Sequence, residues 1–129
     1  MNFPHDCKYT KSHEWVKKEE GVCVVGITEY AQKELSDVVY VELPDVGRQI
    51  KQGEAVIIVE SVKAAFDIYA PLAGKVVAVN TALETDPALI NTNPFDKGWM
   101  FKLEGSTDAE FDSLMDAAAY EKHVKDTGH

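Results

Sequence analysis

Cysteine and positive charge are both scarce in this chain. Its 129 residues hold two cysteines, Cys7 and Cys23, with no C-x-x-C spacing and too few companions for a disulfide framework, so a reducing compartment is expected. Cys7 could join His5 and His13 at a metal, but the spacing matches no zinc pattern and no metal site is assigned. Thirteen Lys and Arg stand against twenty-two Asp and Glu, a formal net charge of -9, and no basic stripe interrupts the acidic background. Nucleic acid is therefore excluded as the expected partner, because phosphate binding needs clustered positive charge. No apolar run approaches the length of a membrane span, so no membrane association is expected. The amino terminus, Met1-Asn2-Phe3-Pro4-His5-Asp6, has neither a signal core nor arginine-rich transit character. The expectation is a monomer of the bacterial cytoplasm, with the mitochondrial matrix as the alternative for a processed form.

What is present is one domain's worth of apolar residues, 45% of the chain, arranged in short β-branched runs. Trp15 to Ile27 reads as strand, charged turn and strand, with Gly21 in the turn. Thr28 is placed to cap a helix over Glu29 to Leu35. Strands resume at Val38 to Leu43, stop at Pro44, and turn at Asp45 to Gly47 and again at Gly53. The segments 53–59 and 74–79 each put an apolar strand directly after a turn glycine. Trp99, Phe101 and Leu103 share one face of a last strand and are expected in the core. Thr107-Asp108-Ala109-Glu110 has the form of a capping box. Phe111, Leu114, Met115 and Ala118 follow at helical spacing, which predicts a terminal helix, broken near Asp116 and frayed after Val124. The whole is expected to be a mainly β domain over 1–129, with a sandwich core over roughly residues 9–103 and a helical segment over roughly 107–125.

One residue stands out on chemical grounds. The run Ala55-Val56-Ile57-Ile58-Val59 and the segment Phe66-Asp67-Ile68-Tyr69-Ala70 read as paired strands, so Lys63 projects from a hairpin tip. An exposed lysine there lacks the desolvation that a nucleophilic amine requires, and is better placed to be modified than to catalyse. A turn lysine is ordinarily only solubilising. Here its sequence context decides. Glu60-Ser61-Val62-Lys63-Ala64-Ala65, continued by Asp67-Ile68-Tyr69-Ala70-Pro71 and Gly74-Lys75-Val76-Val77, resembles the lipoyl-lysine hairpin of the glycine cleavage system H proteins. Tyr9-Thr10, His13-Glu14-Trp15-Val16, Gly26 to Gln32, Val41 to Pro44, Leu89-Ile90-Asn91 and Gly98-Trp99-Met100 resemble that family in the same order.

The resemblance implies a flattened barrel-sandwich hybrid of the lipoyl/biotinyl type and a non-catalytic carrier with lipoate on Lys63. Glu60 and Ala64 would then help a lipoyl-attaching enzyme read the turn. The implied partners are a pyridoxal-phosphate glycine decarboxylase that loads an aminomethyl group, a tetrahydrofolate-dependent aminomethyltransferase, and dihydrolipoamide dehydrogenase. The arm reaches on the order of 10 to 15 Å, counting bonds of about 1.5 Å. Ser12, Glu14 and Asp67 are candidates to hold the cationic amine of the loaded arm, and His13 is assigned a scaffold role. Two positions depart from the family pattern. Phe66 replaces a small polar residue and is expected to add apolar surface beside the lysine, and Ser36 stands in a Leu-Gly-Asp position. A lipoyl relay, or a lipoyl domain of a 2-oxoacid dehydrogenase, is the alternative. Biotin carriers fit less well, since they flank their lysine with methionine. A Schiff-base enzyme would need Lys63 buried, and an unmodified interaction module would carry no adduct.

Overall fold

The computed structural model describes residues 1–127. The chain opens with β1 (Lys8–Tyr9), β2 (Glu14–Glu19), β3 (Val22–Ile27), α1 (Glu29–Leu35) and β4 (Val38–Glu42). It continues through β5 (Gln49–Ile50), β6 (Ala55–Ser61), β7 (Ala65–Tyr69), β8 (Gly74–Val79), α2 (Ala82–Thr85) and α3 (Leu89–Thr92). It ends with β9 (Phe101–Glu104), α4 (Asp108–Asp112) and α5 (Ala117–Thr127). The strands make two antiparallel sheets, one of six strands in the order β1-β2-β3-β9-β8-β5 and one of three in the order β4-β6-β7.

Local chemistry accounts for the turns. Glu20 (φ 45°) and Gly21 (φ 84°) both lie in the left-handed region, the combination that joins two strands with the twist a tight hairpin needs. Thr28 caps α1 as expected, its hydroxyl accepting from the Ala31 amide at 3.2 Å. Gly74 is a different case from the one expected. Its φ is not positive, and a Cβ there would stand 2.8 Å from the Glu104 carbonyl oxygen, so close strand packing rather than a turn requires it. The similar segments 53–59 and 74–79 accordingly end up in different sheets.

The core lies between the sheets. Val16, Val25, Ile27, Phe101 and Leu103 from the large sheet meet Val41, Ile57, Val59 and Ile68 from the small one. A second cluster, with Tyr9, Trp15, Val24, Tyr120 and Val124, covers the other face of the large sheet beneath α5. Strand β3 and the first half of β2 are thus buried on both sides. Gly26 sits directly under the Trp15 indole, where a Cβ would come within 2.6 Å of the ring.

The structure revises several of the expected positions. Trp99 precedes β9 and is only partly buried against the second cluster, with Lys102 Nζ 5.0 Å above its ring; Met100 takes the core position instead. Leu114 and Met115 lie in the gap between α4 and α5, and Ala118 is exposed, because Asp116 starts a new helix whose buried face is Ala117, Tyr120 and Val124. The Asp116 carboxylate accepts from the Ala119 amide at 2.8 Å to begin that helix. Past Val124 the chain is helical to Thr127, and the rest of the tail expected to fray lies outside the described residues. Phe66 opposes Val59 and is partly buried against the main core, so only part of its ring remains as apolar surface.

Candidate functional site

The turn between β6 and β7 is closed by the Ser61 amide, which donates to the Ala64 carbonyl at 2.9 Å. The Ser61 hydroxyl accepts from the amides of Lys63 (3.1 Å) and Ala64 (3.3 Å), tightening the turn without burying it. The Val62 amide donates to the Asp37 carbonyl at 3.0 Å, which fastens the tip to the chain leaving α1. Glu60, Val62, Lys63 and Ala64 are all exposed. The Lys63 Nζ donates to the Glu34 carbonyl at 3.4 Å, a long contact with the negative end of α1. A rigid backbone therefore presents a loosely held primary amine.

At the end of this hairpin away from the turn, next to Tyr69, lies a cleft of about 270 Å³ whose lining includes Thr10, Ser12, Glu14, Tyr69, Leu114 and Met115. Glu14 is 1% exposed. Its Oε1 accepts from the hydroxyls of Thr10 (2.5 Å) and Ser12 (2.6 Å), and its Oε2 accepts from the Tyr69 amide at 3.3 Å. Burial pushes the Glu14 carboxyl above the ordinary carboxylate range, against the opposing pull of the bonds from Ser12 and Thr10. Asp67 is set apart from this pair. It lies on the exposed face of β7 and lines a smaller cavity with Arg48 and Glu42. Along β7, Asp67 falls between Lys63 and Tyr69, which are separated by at most about 20 Å at about 3.3 Å per residue. Sequence reasoning named Ser12 and Glu14 but missed Thr10, the Tyr69 amide and the 114–115 wall. The alternation Thr10-x-Ser12-x-Glu14, two hydroxyls leading to a carboxylate, was the available signal for the first.

His13, between Ser12 and Glu14, adopts φ 74°. Its Nδ1 is 2.9 Å from the Tyr120 hydroxyl, which is 2.7 Å from the hydroxyl of Thr28. The rings of Tyr30 and His123 lie 4.6 and 5.6 Å from it, and His123 also contacts the Lys11 carbonyl at 3.1 Å. Burial and the neighbouring His123 lower the His13 pKa, with Glu34 opposing them. Among the described residues, no three His, Cys, Asp or Glu side chains are placed to hold a metal ion, and no helix is long and apolar enough to cross a membrane. Cys7 and Cys23 are buried free thiols, and burial beside Asp6 pushes Cys7 up to about 12.

A family described as glycine cleavage H-protein matches residues 7–127. The chain is 54% identical over 125 residues to the glycine cleavage system H protein of Symbiobacterium thermophilum, covering 97% of this chain and 98% of that one. It is 56% identical over 115 residues to the protein of the same name from Thermotoga maritima, covering 89% and 93%. A crystal structure of a glycine cleavage system H protein from Mycobacterium marinum superposes with a TM-score of 0.85 at 36% identity, covering 98% of this chain and 99% of that one.

Proposed function

The chain belongs to the glycine cleavage H-protein family, and from that premise we propose that Lys63 is its lipoate acceptor, with Ser12, Glu14 and Asp67 along the path of the arm. The chain is a lipoyl carrier of the glycine cleavage system, and its partners lie within that system. The near-complete match leaves a relay protein or a 2-oxoacid dehydrogenase domain without support. In the finer reading, glycine decarboxylase, aminomethyltransferase and dihydrolipoamide dehydrogenase perform the chemistry. This chain is a single non-catalytic domain of the bacterial cytoplasm, modified by an enzyme that reads Glu60 and Ala64.

The observation that carries this reading is the turn. The amine is solvent-exposed, its backbone is held by Ser61 and Asp37, and its one hydrogen bond among the described residues is a long one. Amide formation at Nζ therefore breaks little. When bound, lipoate supplies a dithiolane that opens to take a group on one sulfur and closes again to a disulfide. The chain's own residues supply placement and shelter. Glu14 offers the cleft a carboxylate whose Oε2 is weakly occupied, and a cationic amine entering there supplies the opposite charge that burial denies it. Asp67 offers a second carboxylate nearer the turn. The test is intact mass and peptide mapping after expression with lipoate. One lipoyl adduct on Lys63 is the expected result, and an adduct on another lysine, or none, overturns it.

A further inference from the structure

We infer that residues 113–115, between α4 and α5, form a built wall of the Glu14 cleft, and that Leu114 is a positioning residue that keeps water from the carboxylate. The inference rests on the shelter role proposed above for Glu14.

Three observations support it. First, the segment is fixed at both ends rather than draped over the surface. The Tyr9 amide donates to the Met115 carbonyl at 2.8 Å and the Met115 amide donates to the Tyr9 carbonyl at 2.9 Å, so Met115 extends the large sheet beyond its β1 edge. On the other side, Ser113 closes α4 through its hydroxyl on the Glu110 carbonyl at 2.6 Å, and the Glu110 carboxylate accepts from the Ala73 amide at 3.3 Å. Second, the helix break is what delivers the wall. Had Phe111, Leu114, Met115 and Ala118 continued one helix, Met115 could not pair with Tyr9; the Asp116 cap restarts the helix one residue later. Third, Leu114 and Met115 give the cavity apolar lining where Thr10, Ser12 and Glu14 give it polar lining. Leu114 packs against the main core and Met115 against the second cluster, and both line the cavity that Thr10, Ser12 and Glu14 face. An apolar wall in the same cavity as a buried carboxylate lowers the local dielectric. It strengthens the attraction of Glu14 for a cation and excludes water from whatever the carboxylate holds. The raised pKa of Glu14, caused chiefly by burial, agrees with a dry site.

Shelter matters because an aminomethyl thioether is open to hydrolysis. The carbon–sulfur and carbon–nitrogen bonds both break and water supplies the carbonyl oxygen, so R–S–CH₂–NH₃⁺ and H₂O give R–SH, formaldehyde and NH₄⁺ with no change in redox state.

The experiment compares Leu114→Ser, Leu114→Ile and Glu14→Ala with wild type. The Glu14 side-chain pKa is followed by carbon-13 NMR in the unlipoylated protein, and the lifetime of the one-carbon cargo is followed by mass in the lipoylated protein. Slow amide exchange at Tyr9 and Met115 verifies that the wall is still bridged. Leu114→Ser should bring the Glu14 pKa down by about one unit, a tenfold change in proton affinity, and shorten the cargo's lifetime severalfold, while Leu114→Ile retains both. If Leu114→Ser, still bridged, changes neither while Glu14→Ala shortens the lifetime, the wall is overturned and the carboxylate reading stands. If Glu14→Ala has no effect on lifetime, the carboxylate reading falls and this inference with it. Should Leu114→Ser lose the bridge, Leu114→Ala is measured in its place against the same outcomes.

Discussion

The Glu14 carboxylate, on the first residue of β2, accepts the Tyr69 amide at the end of β7, so one buried side chain ties the edge of the three-stranded sheet to the six-stranded one. A raised folded-state pKa means that the folded state holds its proton more tightly than the unfolded chain. The stability Glu14 contributes is therefore fully present below the unfolded pKa of about 4.3 and is lost as pH rises through the folded value. At neutral pH the buried charge is a cost. Glu14→Gln should remove this dependence, so the stability difference between variant and wild type should move in favour of the variant as pH rises from about 4 to 7. Urea midpoints across that range check it, and a constant difference would show that Glu14 is not the titrating group.

His13 has the opposite sense. Its folded pKa is lowered by burial and by His123, against Glu34, with Tyr30, Tyr120 and Thr28 also around it. The unfolded chain therefore binds the proton more tightly, and stability is present above the unfolded pKa of about 6.5 and is lost as pH falls below it. His13→Gln should flatten the acid side of the stability profile in that window, as read by thermal midpoints between about pH 5 and 7.

Lys63→Arg should leave the fold unchanged and abolish lipoylation. Arginine keeps the charge, but its guanidinium cannot form the lipoyl amide. Stability should move by no more than about 0.5 kcal/mol, as for an exposed turn residue. Reconstituted glycine cleavage with the partner enzymes measures the functional loss; near-normal turnover by a folded, unmodified variant would show the wrong lysine was chosen.

Ser36 ends α1 at φ 65° and ψ -154°, a region open to glycine and costly for any residue with a Cβ. Ser36→Gly should stabilise the chain by about 1 kcal/mol, the strain relief exceeding the entropy a glycine adds to the unfolded state. Chemical denaturation measures it, and a loss of stability would mean that the serine is not strained.

Gly26→Ala should destabilise by about 1–3 kcal/mol. The Cβ would meet an indole that cannot retreat, because Trp15 is 1% exposed and its Nε1 donates to the Pro94 carbonyl at 2.9 Å. The Trp15 fluorescence maximum and the unfolding midpoint should shift together.

The β2–β3 hairpin, α1 and the Lys63 hairpin were legible in the amino-acid order because neighbours determine them: Gly21 in the turn, Thr28 at the cap, β-branched runs on either side of Ser61 to Ala64. The exposure of Lys63 was legible for the same reason, since it follows from its own turn, whereas its proposed acceptor role came from the family resemblance. The helix break at Asp116 was also visible locally. What the break does was not. Met115 pairs with Tyr9, 106 positions away, and Leu114 reaches a cleft whose carboxylate belongs to Glu14. Burial of Glu14, the separate cavity of Asp67, the partial burial of Phe66 and the displacement of Trp99 from the core all depend on which sheet packs on which. Short-range sequence carries turn chemistry and alternation. Desolvation of a carboxylate is a property of the surfaces brought around it, and only the tertiary structure brings them together.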